Sequence, residues 1–476
     1  MNTAADTQAI SAAQMQSLFQ RQRDASRMQP YPSLKERREH LDTLIALLED
    51  NEDAIAEAIN TDFGNRPSQE TRVLEMFGLL SGLRYTRKRL KKWAKPQKRH
   101  VGIAFAGAKN TVLPQPKGVV GVVTPWNYPL FLALSPATSA LAAGNRCIIK
   151  MASNSQTLCR LMAKLVNEAF DDTVLAIVPG VSATDFTNLP WDHLVFTGSP
   201  NTGKTVMATA AQFLTPVTLE LGGKSPTVVA KDYPIAKAAE RLLFGKFLNA
   251  GQTCVAPDYV FVHKSQVDDF VSAAKEIVGK RYPSIDSPDF TAVIDGKAYK
   301  RLSDTLQEAT EKGSKAIQLN GGEASNEALQ KIAPHIVLEP IEESVLMRDE
   351  IFGPLLPVKT YESLDEVIQY INTHERPLAL YLYSNDKQTQ QRMTYETLSG
   401  GMCINDSILH VAQHDMPFGG VGNSGMGHYH GEEGFREFSK MRPIFKQGPM
   451  SSLLPMAPPY GKTFETIYGL MKKLKL

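Results

Sequence analysis

Apolar residues in the first ~100 positions recur at helical spacing. On one face of an early predicted helix lie Leu41, Leu44, Ile45 and Leu48. A longer, strongly basic helix is predicted from Gln69 to Trp93, ending in KRLKKW. Its charges favour a solvated helix face over a polyanion site, because the basic run is short and isolated. Glycines and prolines between His100 and Gly118 predict a hairpin or extended arm.

From Val119 the pattern changes to short, almost continuous apolar runs that alternate with helical stretches. Such runs are typical of parallel strands covered on both faces. The predicted strands are residues 119–123, 147–149, 174–178, 194–196 and 227–230. A helix between two of them is indicated by Leu158, Leu161, Met162, Leu165 and Val166. Repeated strand, helix and strand predict a doubly wound, Rossmann-like nucleotide-binding layer.

A second α/β series is predicted from about Ala236 to Asn405. Glycine-rich turns then dominate up to Gly434. The end of the chain, from Tyr460 to Leu476, is amphipathic and finishes in KKLKL. The chain therefore predicts more than one α/β unit, followed by a turn-rich segment and a helical tail.

Composition narrows the class of protein. The 476 residues carry a net charge of +2 with acids and bases mixed, whereas nucleic-acid binders usually show a basic stripe. The chain start lacks signal-peptide features, and no apolar run is long enough to span a bilayer. Four cysteines, too few and scattered for a disulfide framework or a zinc site, are Cys147, Cys159, Cys254 and Cys403. We expect a cytoplasmic protein without a metal.

The segment FTGSPNTG begins where a predicted strand ends. Gly198 turns the chain, Ser199 suits an N-cap and Pro200 suits the first helical turn. Amides exposed at such a helix start attract a pyrophosphate. Only the outer spacing of the G-x-G-x-x-G fingerprint is kept, from Gly198 to Gly203. A phosphate-binding turn and an ordinary helix start both stay open from this segment alone.

An acid and a thiol lie further along, each close to glycine. Glu220 ends an apolar strand and is followed by Gly222 and Gly223, which permit a turn that side chains would block. It is either an acid capping a loop or a general base at the edge of a cleft. Cys254 follows NAGQT in a loop after a helix. It is either an inert buried thiol, as most single cysteines are, or a reactive nucleophile.

Two other loops carry polar or aromatic side chains. In TPWNYP, prolines bracket Asn127, whose amide is a good donor to a developing oxyanion. The same asparagine would also suit an Asx turn. In EIFGP, Glu350 and Phe352 lie beside glycine.

Together these motifs resemble one family. PWNYP, FTGSPNTGK, ELGGKSP, NAGQTC, EIFGP and PFGGVGNSGMG occur in the order and spacing of the aldehyde dehydrogenase superfamily. The resemblance extends from about Leu41 to Pro443, and the segment GNSGMGHYHGEEGFREFSK resembles the class 3 branch. DFGNR, APDY, FGPLLP and APPYG are similar to segments of the bacterial coniferyl aldehyde dehydrogenases.

The resemblance implies an α/β fold with a Rossmann-like cofactor domain, an α/β catalytic domain and a small oligomerisation arm. Residues 1–99 and 119–223 would form the NAD(P)-binding domain, and residues 224–415 the catalytic domain. Residues 100–118 and 416–476 would form the oligomerisation or bridging arm and the C-terminal tail. A homodimer is expected.

The resemblance also implies a reaction: the NAD(P)-dependent oxidation of an aldehyde to its carboxylic acid, without a metal. The substrate would be aromatic, such as coniferaldehyde, or a medium-chain aliphatic aldehyde. Cys254 would add to the carbonyl and pass through a thiohemiacetal to a thioester. The Asn127 amide and the Cys254 backbone N–H would hold the oxyanion. Glu220, made more basic by burial, would activate the water that hydrolyses the thioester.

Cofactor contacts follow from the same resemblance. Lys150 would contact the adenosine ribose, Ser199 the pyrophosphate and Glu350 the nicotinamide ribose. The full expected set is Lys150, Ser153, Gly198, Ser199, Gly203, Trp126, Leu221, Glu350 and Phe352. Tyr128, next to Asn127, is the candidate for lining the aldehyde channel.

One position departs from the family pattern. Most relatives have Lys-Pro-Ser-Glu where this chain has KMAS, so Ser153 replaces a glutamate. That glutamate accepts hydrogen bonds from the ribose hydroxyls and repels a 2′-phosphate. Like-charge repulsion at close range is worth about 1 kcal/mol or more. The serine therefore predicts that NADP is accepted as well as NAD.

Three alternatives stay open. A CoA-acylating relative would transfer the same thioester to CoA, but such enzymes usually lack the hydrolytic glutamate found here as Glu220. A non-catalytic relative would keep only the fold. Membrane attachment through the tail is a third alternative, although the segment from Phe464 to Leu476 is short and contains lysines. An intersubunit or capping helix suits that segment better.

Overall fold

Two mostly parallel sheets organise the chain, as the alternating apolar runs predict. The computed structural model describes residues 9–449, 451 and 453–473. The last three residues of the predicted tail helix, 474–476, lie outside the described residues. The predicted division into domains at residues 99, 118, 223 and 415 stays a prediction.

The first sheet has six strands. In spatial order they are Gly425–Met426, Val217–Leu221, His193–Gly198, Val119–Val123, Arg146–Lys150 and Leu175–Ile177. All neighbours are parallel except the first pair. From Val119–Val123 the chain adds strands first on one side and then on the other, so a switch point lies beside His193–Gly198. Ligands of doubly wound sheets bind in the crevice at the carboxyl ends of such strands.

The second sheet has seven strands. In spatial order they are Lys315–Gln318, His335–Leu338, Leu355–Tyr361, Tyr259–His263, Pro226–Val229, Ala379–Tyr383 and Gly401–Ile404. Only the first pair is antiparallel. The predicted second α/β series is confirmed by these strands and the helices between them. The strand predicted at residues 227–230 was wrongly assigned to the nucleotide-binding layer, because it pairs with Tyr259–His263 and Ala379–Tyr383 in this second sheet.

The predicted arm is a hairpin of Gln97–Arg99 and Lys109–Pro116. A late strand, Ser439–Lys446, pairs along the whole of Lys109–Pro116 and completes a three-stranded antiparallel sheet. Local patterns do not show this pairing, because the partners are more than 300 residues apart in the sequence. A further ladder joins Ser325–Asn326 to Lys331–Ile332.

Helices fill the space around the sheets. The α-helices are Ala12–Met28, Leu34–Asp50, Glu52–Phe63, Ser68–Thr71, Gly78–Trp93, Pro129–Ala143, Gln156–Ala169, Ala183–Thr187, Pro200–Ala211, Ile235–Phe247, Val267–Arg281, Gly296–Glu311, Val345–Arg348, Leu364–Thr373, Lys387–Glu396, Gly431–Glu437 and Lys462–Lys473. Short 3₁₀ turns are Ile103–Phe105, Lys264–Gln266, Leu409–Ala412 and Leu454–Met456, and an irregular turn spans Leu248–Gly251. The predicted basic helix is confirmed, but its segment Arg72–Phe77 is π-helical.

The largest core cluster joins the amino-terminal helices to the first sheet. Its centre is Pro129–Ala143, which is apolar around its whole circumference and almost completely buried, as expected of a core helix. The predicted stripe packs here, with Leu41, Leu44 and Leu48 fully buried. This helix begins two residues after Asn127, so the buried helix anchors one end of the Asn127 loop in the core.

Candidate active site

A cavity of about 220 Å³ lies at the carboxyl ends of the strands Val119–Val123, His193–Gly198 and Val217–Leu221. Its lining includes the predicted site residues Trp126, Asn127, Gly198, Ser199, Glu220, Leu221, Cys254, Glu350 and Phe352. Residues from distant parts of the sequence therefore meet at the switch point of the first sheet.

The loop that carries Cys254 has an unusual backbone. After the helix Ile235–Phe247, three consecutive residues, Asn249, Ala250 and Gly251, are left-handed, with φ of 52°, 52° and 78°. A non-glycine residue in this region costs on the order of 1–3 kcal/mol and persists only when its surroundings hold it. Such strain is typical of sites where a backbone is aimed for function.

Gln252 holds this loop. Its side-chain nitrogen donates to the carbonyls of Asn249 and Ala292, both at 3.0 Å, and its side-chain oxygen accepts from the Ile294 amide at 3.0 Å. The side chain is completely buried. Two residues later the chain reaches Cys254, whose position is thus set by hydrogen bonds rather than by regular secondary structure.

The surroundings of the Cys254 thiol favour its protonated form. Burial raises its pKa to about 12, and the nearby Glu350 and Glu220 carboxyls add to the rise. Deprotonation therefore needs a favourable change in the cavity, such as the arrival of a positive charge. Of the other three cysteines, Cys147 and Cys159 are fully buried and Cys403 is partly buried, and all three lie outside this cavity.

Glu220 is a buried carboxyl with free acceptors. It lies near the end of Val217–Leu221 and is only 3% exposed. Among the residues that the structure describes, neither of its oxygens has a hydrogen-bond partner. Burial raises its pKa well above the ordinary value, and the Glu437 carboxylate raises it further. A carboxyl of this kind is a stronger base once ionised, and its oxygens are free to take a proton from water.

The side-chain amide of Asn127 donates one hydrogen bond within the described part of the chain. Its Nδ2 donates to the Gln252 carbonyl at 3.2 Å, and the side chain is buried. An amide group has two hydrogens, so the second can donate to a developing oxyanion. The neighbouring Tyr128 hydroxyl bonds the Thr253 hydroxyl at 2.6 Å, which links the Asn127 loop to the residue before Cys254.

Glu350 and Phe352 come from a loop before the strand Leu355–Tyr361. Phe352 has a φ of +48°, and its ring meets Trp126 edge to face with centroids 5.4 Å apart. The Glu350 carboxyl lies so close to Gly222 that an added Cβ there would be 2.1 Å from it. Burial and Asp258 raise the pKa of Glu350 to about 8. A side chain at position 222 would force the Glu350 carboxyl to move.

The turn after His193–Gly198 has the geometry expected of an anion site. Ser199 is the N-cap of Pro200–Ala211, and its hydroxyl accepts from the Thr202 amide at 3.4 Å. A Cβ on Gly203 would lie 2.7 Å from the Leu221 side chain, so only glycine allows the helix to pack this closely on the strand. A neighbouring cleft of about 870 Å³ extends past Ser199, Glu350 and Phe352. The start of the helix Pro200–Ala211 and the neighbouring cleft together fit an elongated, phosphate-bearing cofactor.

Lys150 and Ser153 do not line the catalytic cavity. Lys150 ends the strand Arg146–Lys150, one strand away from the switch point, and its Nζ donates to the Met151 carbonyl at 3.1 Å. Ser153 is exposed in the following turn. Both residues lie at or just after the carboxyl end of this strand, and their expected contacts with the adenosine end of the cofactor stay predictions.

Sequence reasoning missed several residues that shape the site. Gln252 and Arg66 occur in the motifs NAGQTC and DFGNR, but the sequence did not indicate a role for either residue. Leu132 lines the cavity, and Glu437 acts on Glu220 from the late helix Gly431–Glu437. Local pattern carries no signal for the last two, since both act across distances that only the tertiary structure sets.

The model of the aldehyde dehydrogenase family matches residues 1–444 of the sequence. The chain belongs to the aldehyde dehydrogenase family. It is 48% identical over 458 residues to a probable coniferyl aldehyde dehydrogenase of Pseudomonas aeruginosa, covering 95% of each chain. Among solved structures it resembles a substrate-bound Staphylococcus aureus AldH, with a TM-score of 0.90, 36% identity and coverage of 96% of this chain and 99% of that one.

A third comparison bears on the cofactor. The fold also resembles a Mycobacterium tuberculosis aldehyde dehydrogenase complexed with NAD⁺, with a TM-score of 0.83, 26% identity and coverage of 93% of this chain and 91% of that one. The expected fold is confirmed, and the chain is an oxidoreductase that oxidises an aldehyde with a nicotinamide cofactor. Within the described residues, no helix is long and apolar enough to cross a membrane.

Proposed function

We propose that this aldehyde dehydrogenase oxidises an aromatic aldehyde of the coniferaldehyde type to its acid through a thioester on Cys254. The observation that carries the proposal is the single cavity in which Cys254, Asn127 and Glu220 meet. The rings of Trp126 and Phe352 line this cavity, whereas Tyr128, expected to line the aldehyde channel, is not among its lining residues. Aromatic rings in the lining suit a flat aromatic substrate. The Pseudomonas aeruginosa relative, named as a probable coniferyl aldehyde dehydrogenase, supports the same substrate class.

The first half of the proposed reaction ends in a thioester. The Cys254 thiolate forms a C–S bond to the carbonyl carbon, and the carbonyl electron pair moves to oxygen. The second amide hydrogen of Asn127 and the Cys254 backbone N–H bind that oxyanion. When bound, an oxidised nicotinamide cofactor supplies a hydride acceptor and a positive charge that favours the thiolate. As the carbonyl re-forms, the hydride leaves the carbon with its electron pair, and the thioester remains.

The second half releases the acid. Glu220 takes a proton from water, and the resulting hydroxide oxygen bonds to the thioester carbon. The C–S bond then breaks and returns the electron pair to Cys254. Because Glu220 has no hydrogen-bond partner among the described residues, both of its oxygens are free for this water. Hydrolysis by Glu220 also favours water over CoA as the acceptor.

The cofactor would be held along the cleft beside this cavity. We propose that Ser199 and the start of Pro200–Ala211 bind the pyrophosphate, that Glu350 turns to the nicotinamide ribose, and that Phe352 packs on the nicotinamide. Lys150 would bind the adenosine ribose. Because Ser153 is exposed and uncharged, no carboxylate at this position opposes a 2′-phosphate, which supports use of both NAD and NADP.

We further propose a cytoplasmic homodimer that associates through the arm. Exposed apolar side chains support this surface: Phe105 in the turn of the hairpin, and Ile444 and Phe445 in the strand Ser439–Lys446. Light scattering behind a sizing column measures the mass directly. Replacing Phe445 with Lys should shift a dimer towards monomer, and a monomeric wild type would refute the assembly.

A panel of aldehydes, each assayed with NAD and with NADP, tests the proposed activity. We expect coniferaldehyde and cinnamaldehyde to give higher kcat/KM than octanal or propanal, and CoA to leave the rate unchanged. A preference for octanal would refute the aromatic assignment. Cys254→Ala should abolish turnover, whereas Cys403→Ala, which removes a partly buried thiol outside the cavity, should retain it.

A further inference from the structure

A buried ion pair outside the cavity contacts both sides of the Asn127 loop. Arg66 Nη1 lies 2.8 Å from Glu75 Oε1, and both side chains are 0% exposed. The same nitrogen donates to the main-chain carbonyl of Asn127 at 3.1 Å. Glu75 Oε2 accepts from the amides of Leu130 and Phe131, at 2.8 and 3.0 Å. One ion pair therefore holds residue 127 and the first turn of the helix that follows it.

The surroundings of this pair are costly to maintain. Two further nitrogens of Arg66, Nε and Nη2, have no hydrogen-bond partner among the described residues. The guanidinium instead lies between the rings of Phe63 and Tyr128, 5.0 and 5.1 Å from their centroids. Glu75 belongs to the π-helical segment Arg72–Phe77, and such segments are frequent at functional sites. Buried ion pairs are weak evidence for stability, so a role in placing the loop explains this arrangement better.

The hydrogen bonds around Asn127 show what would move without the pair. Its carbonyl accepts from Arg66 on one side and from Asn249 Nδ2, at 3.1 Å, on the other. Its side-chain amide donates to the Gln252 carbonyl in the loop before Cys254. Hydrogen bonds therefore hold both the main-chain carbonyl and the side-chain amide of Asn127. Without Arg66, the contact from Asn249 would be the one that remains on that carbonyl among the described residues.

We propose that Arg66 and Glu75 are positioning residues that place the Asn127 amide for oxyanion binding. The inference rests on the proposed role of Asn127 as the oxyanion donor. Neither side chain lines the cavity, so neither touches substrate or cofactor. Their effect passes through the Asn127 peptide and through the start of Pro129–Ala143.

Two conservative variants perturb the pair in different ways. Glu75→Gln keeps the shape and one acceptor oxygen but removes the charge, and Arg66→Lys keeps the charge but loses the planar fork. A displacement of about 1 Å at a reacting group costs on the order of 100-fold in rate, so we expect kcat to fall by about that factor. The dissociation constant of the cofactor and the rate of Cys254 alkylation by iodoacetamide should stay at wild-type values. A weaker cofactor affinity or a slower alkylation of Cys254 would mean that the whole site is disturbed, and either result would overturn the proposal.

A double-mutant cycle with Asn127→Ala provides the decisive readout. If the pair acts through Asn127, Glu75→Gln should change kcat little once the Asn127 amide is already absent. Multiplication of the two separate losses would overturn the positioning role and leave the role of Asn127 intact. A wild-type kcat for Asn127→Ala would instead refute the oxyanion assignment itself. The two failures are therefore distinguishable.

Asp62→Asn is the matched control. Asp62 belongs to the same helical layer, and its carboxylate accepts from the amides of Thr157 and Leu158, at 2.9 and 3.0 Å, where the helix Gln156–Ala169 starts. It resembles Glu75 in chemistry but lies outside the Asn127 loop. We expect a lower melting temperature with unchanged kcat at saturating cofactor. An equal loss of kcat in this control would overturn the proposal. If Glu75→Gln does not fold, Arg66→Lys serves in the cycle, with kcat expressed per active site.

Discussion

Glu220→Gln separates the two halves of the proposed reaction. The amide fills nearly the same volume as the carboxyl but cannot accept a proton from water. A general base contributes about 10²- to 10⁴-fold to a proton-transfer step. At 1.36 kcal/mol for each factor of ten, that is about 3–5 kcal/mol on the barrier of thioester hydrolysis. We therefore expect steady-state kcat to fall by about 10²- to 10⁴-fold, while the hydride step stays competent.

The structure explains why no neighbour should replace Glu220. The Glu220 side chain is 3% exposed, so a base dissolved in bulk water does not reach this position. Glu350 also lines the cavity, but its carboxyl lies against Gly222 rather than facing open space. Glu437 acts on Glu220 electrostatically and does not line the cavity. The deficit should therefore approach the full contribution of a general base.

Stopped-flow absorbance of the reduced cofactor is the direct assay. In Glu220→Gln we expect a burst with an amplitude close to one per active site, followed by a slow steady state. Mass spectrometry of the quenched protein should find the acyl group on the peptide that contains Cys254. A variant with normal steady-state turnover, or with neither burst nor acyl-enzyme, would refute the assignment of Glu220 to hydrolysis. Glu433→Gln, at a partly buried acid in the first turn of Gly431–Glu437, is a control for the loss of one acid.

Three further predictions test separate parts of the site. Because Glu220 works only when ionised and its pKa is raised, deacylation should increase with pH through that pKa; Glu437→Gln should move the midpoint of the pH–rate profile to lower pH, and an unchanged midpoint would contradict this coupling. Ser153→Glu should lower kcat/KM with NADP by about tenfold or more relative to NAD, for roughly 1.4 kcal/mol of charge repulsion, and an unchanged ratio would remove residue 153 from cofactor selection. Gly251→Ala places a Cβ 2.3 Å from the Gly353 carbonyl at a φ of +78°, so it should destabilise the protein by more than about 1 kcal/mol in urea unfolding and slow Cys254 alkylation; wild-type values of both would show that this backbone is not constrained.

The strands and helices were largely predictable because each carries its own apolar pattern. The predicted strand of residues 119–123 matches Val119–Val123, and the other predicted strands differ from the observed ones by one or two residues at their ends. Motif order also indicated the family. The glycines at positions 203 and 222 lie where a side chain approaches the backbone closely. Both belong to motifs that the sequence already indicated as turns.

Pairing between distant segments was not predictable in this way. The strands Ser439–Lys446 and Gly425–Met426 both pair with segments that lie far back in the sequence. The π-helical segment Arg72–Phe77 has no local signature either. Its geometry places Glu75 where Arg66 and the helix start of Pro129–Ala143 meet, which depends on packing.

The sequence alone determined the chemical groups of the site and their order along the chain: a thiol at Cys254, a carboxyl at Glu220 and an amide at Asn127. Only the tertiary structure decided their properties. Hydrogen-bond satisfaction and burial depend on atoms from every part of the chain, so the raised pKa of Glu220 and the one free amide hydrogen of Asn127 are properties of the assembled cavity. For the same reason, the Arg66–Glu75 pair and its contact with the Asn127 carbonyl depend on how the amino-terminal helices pack against the Asn127 loop.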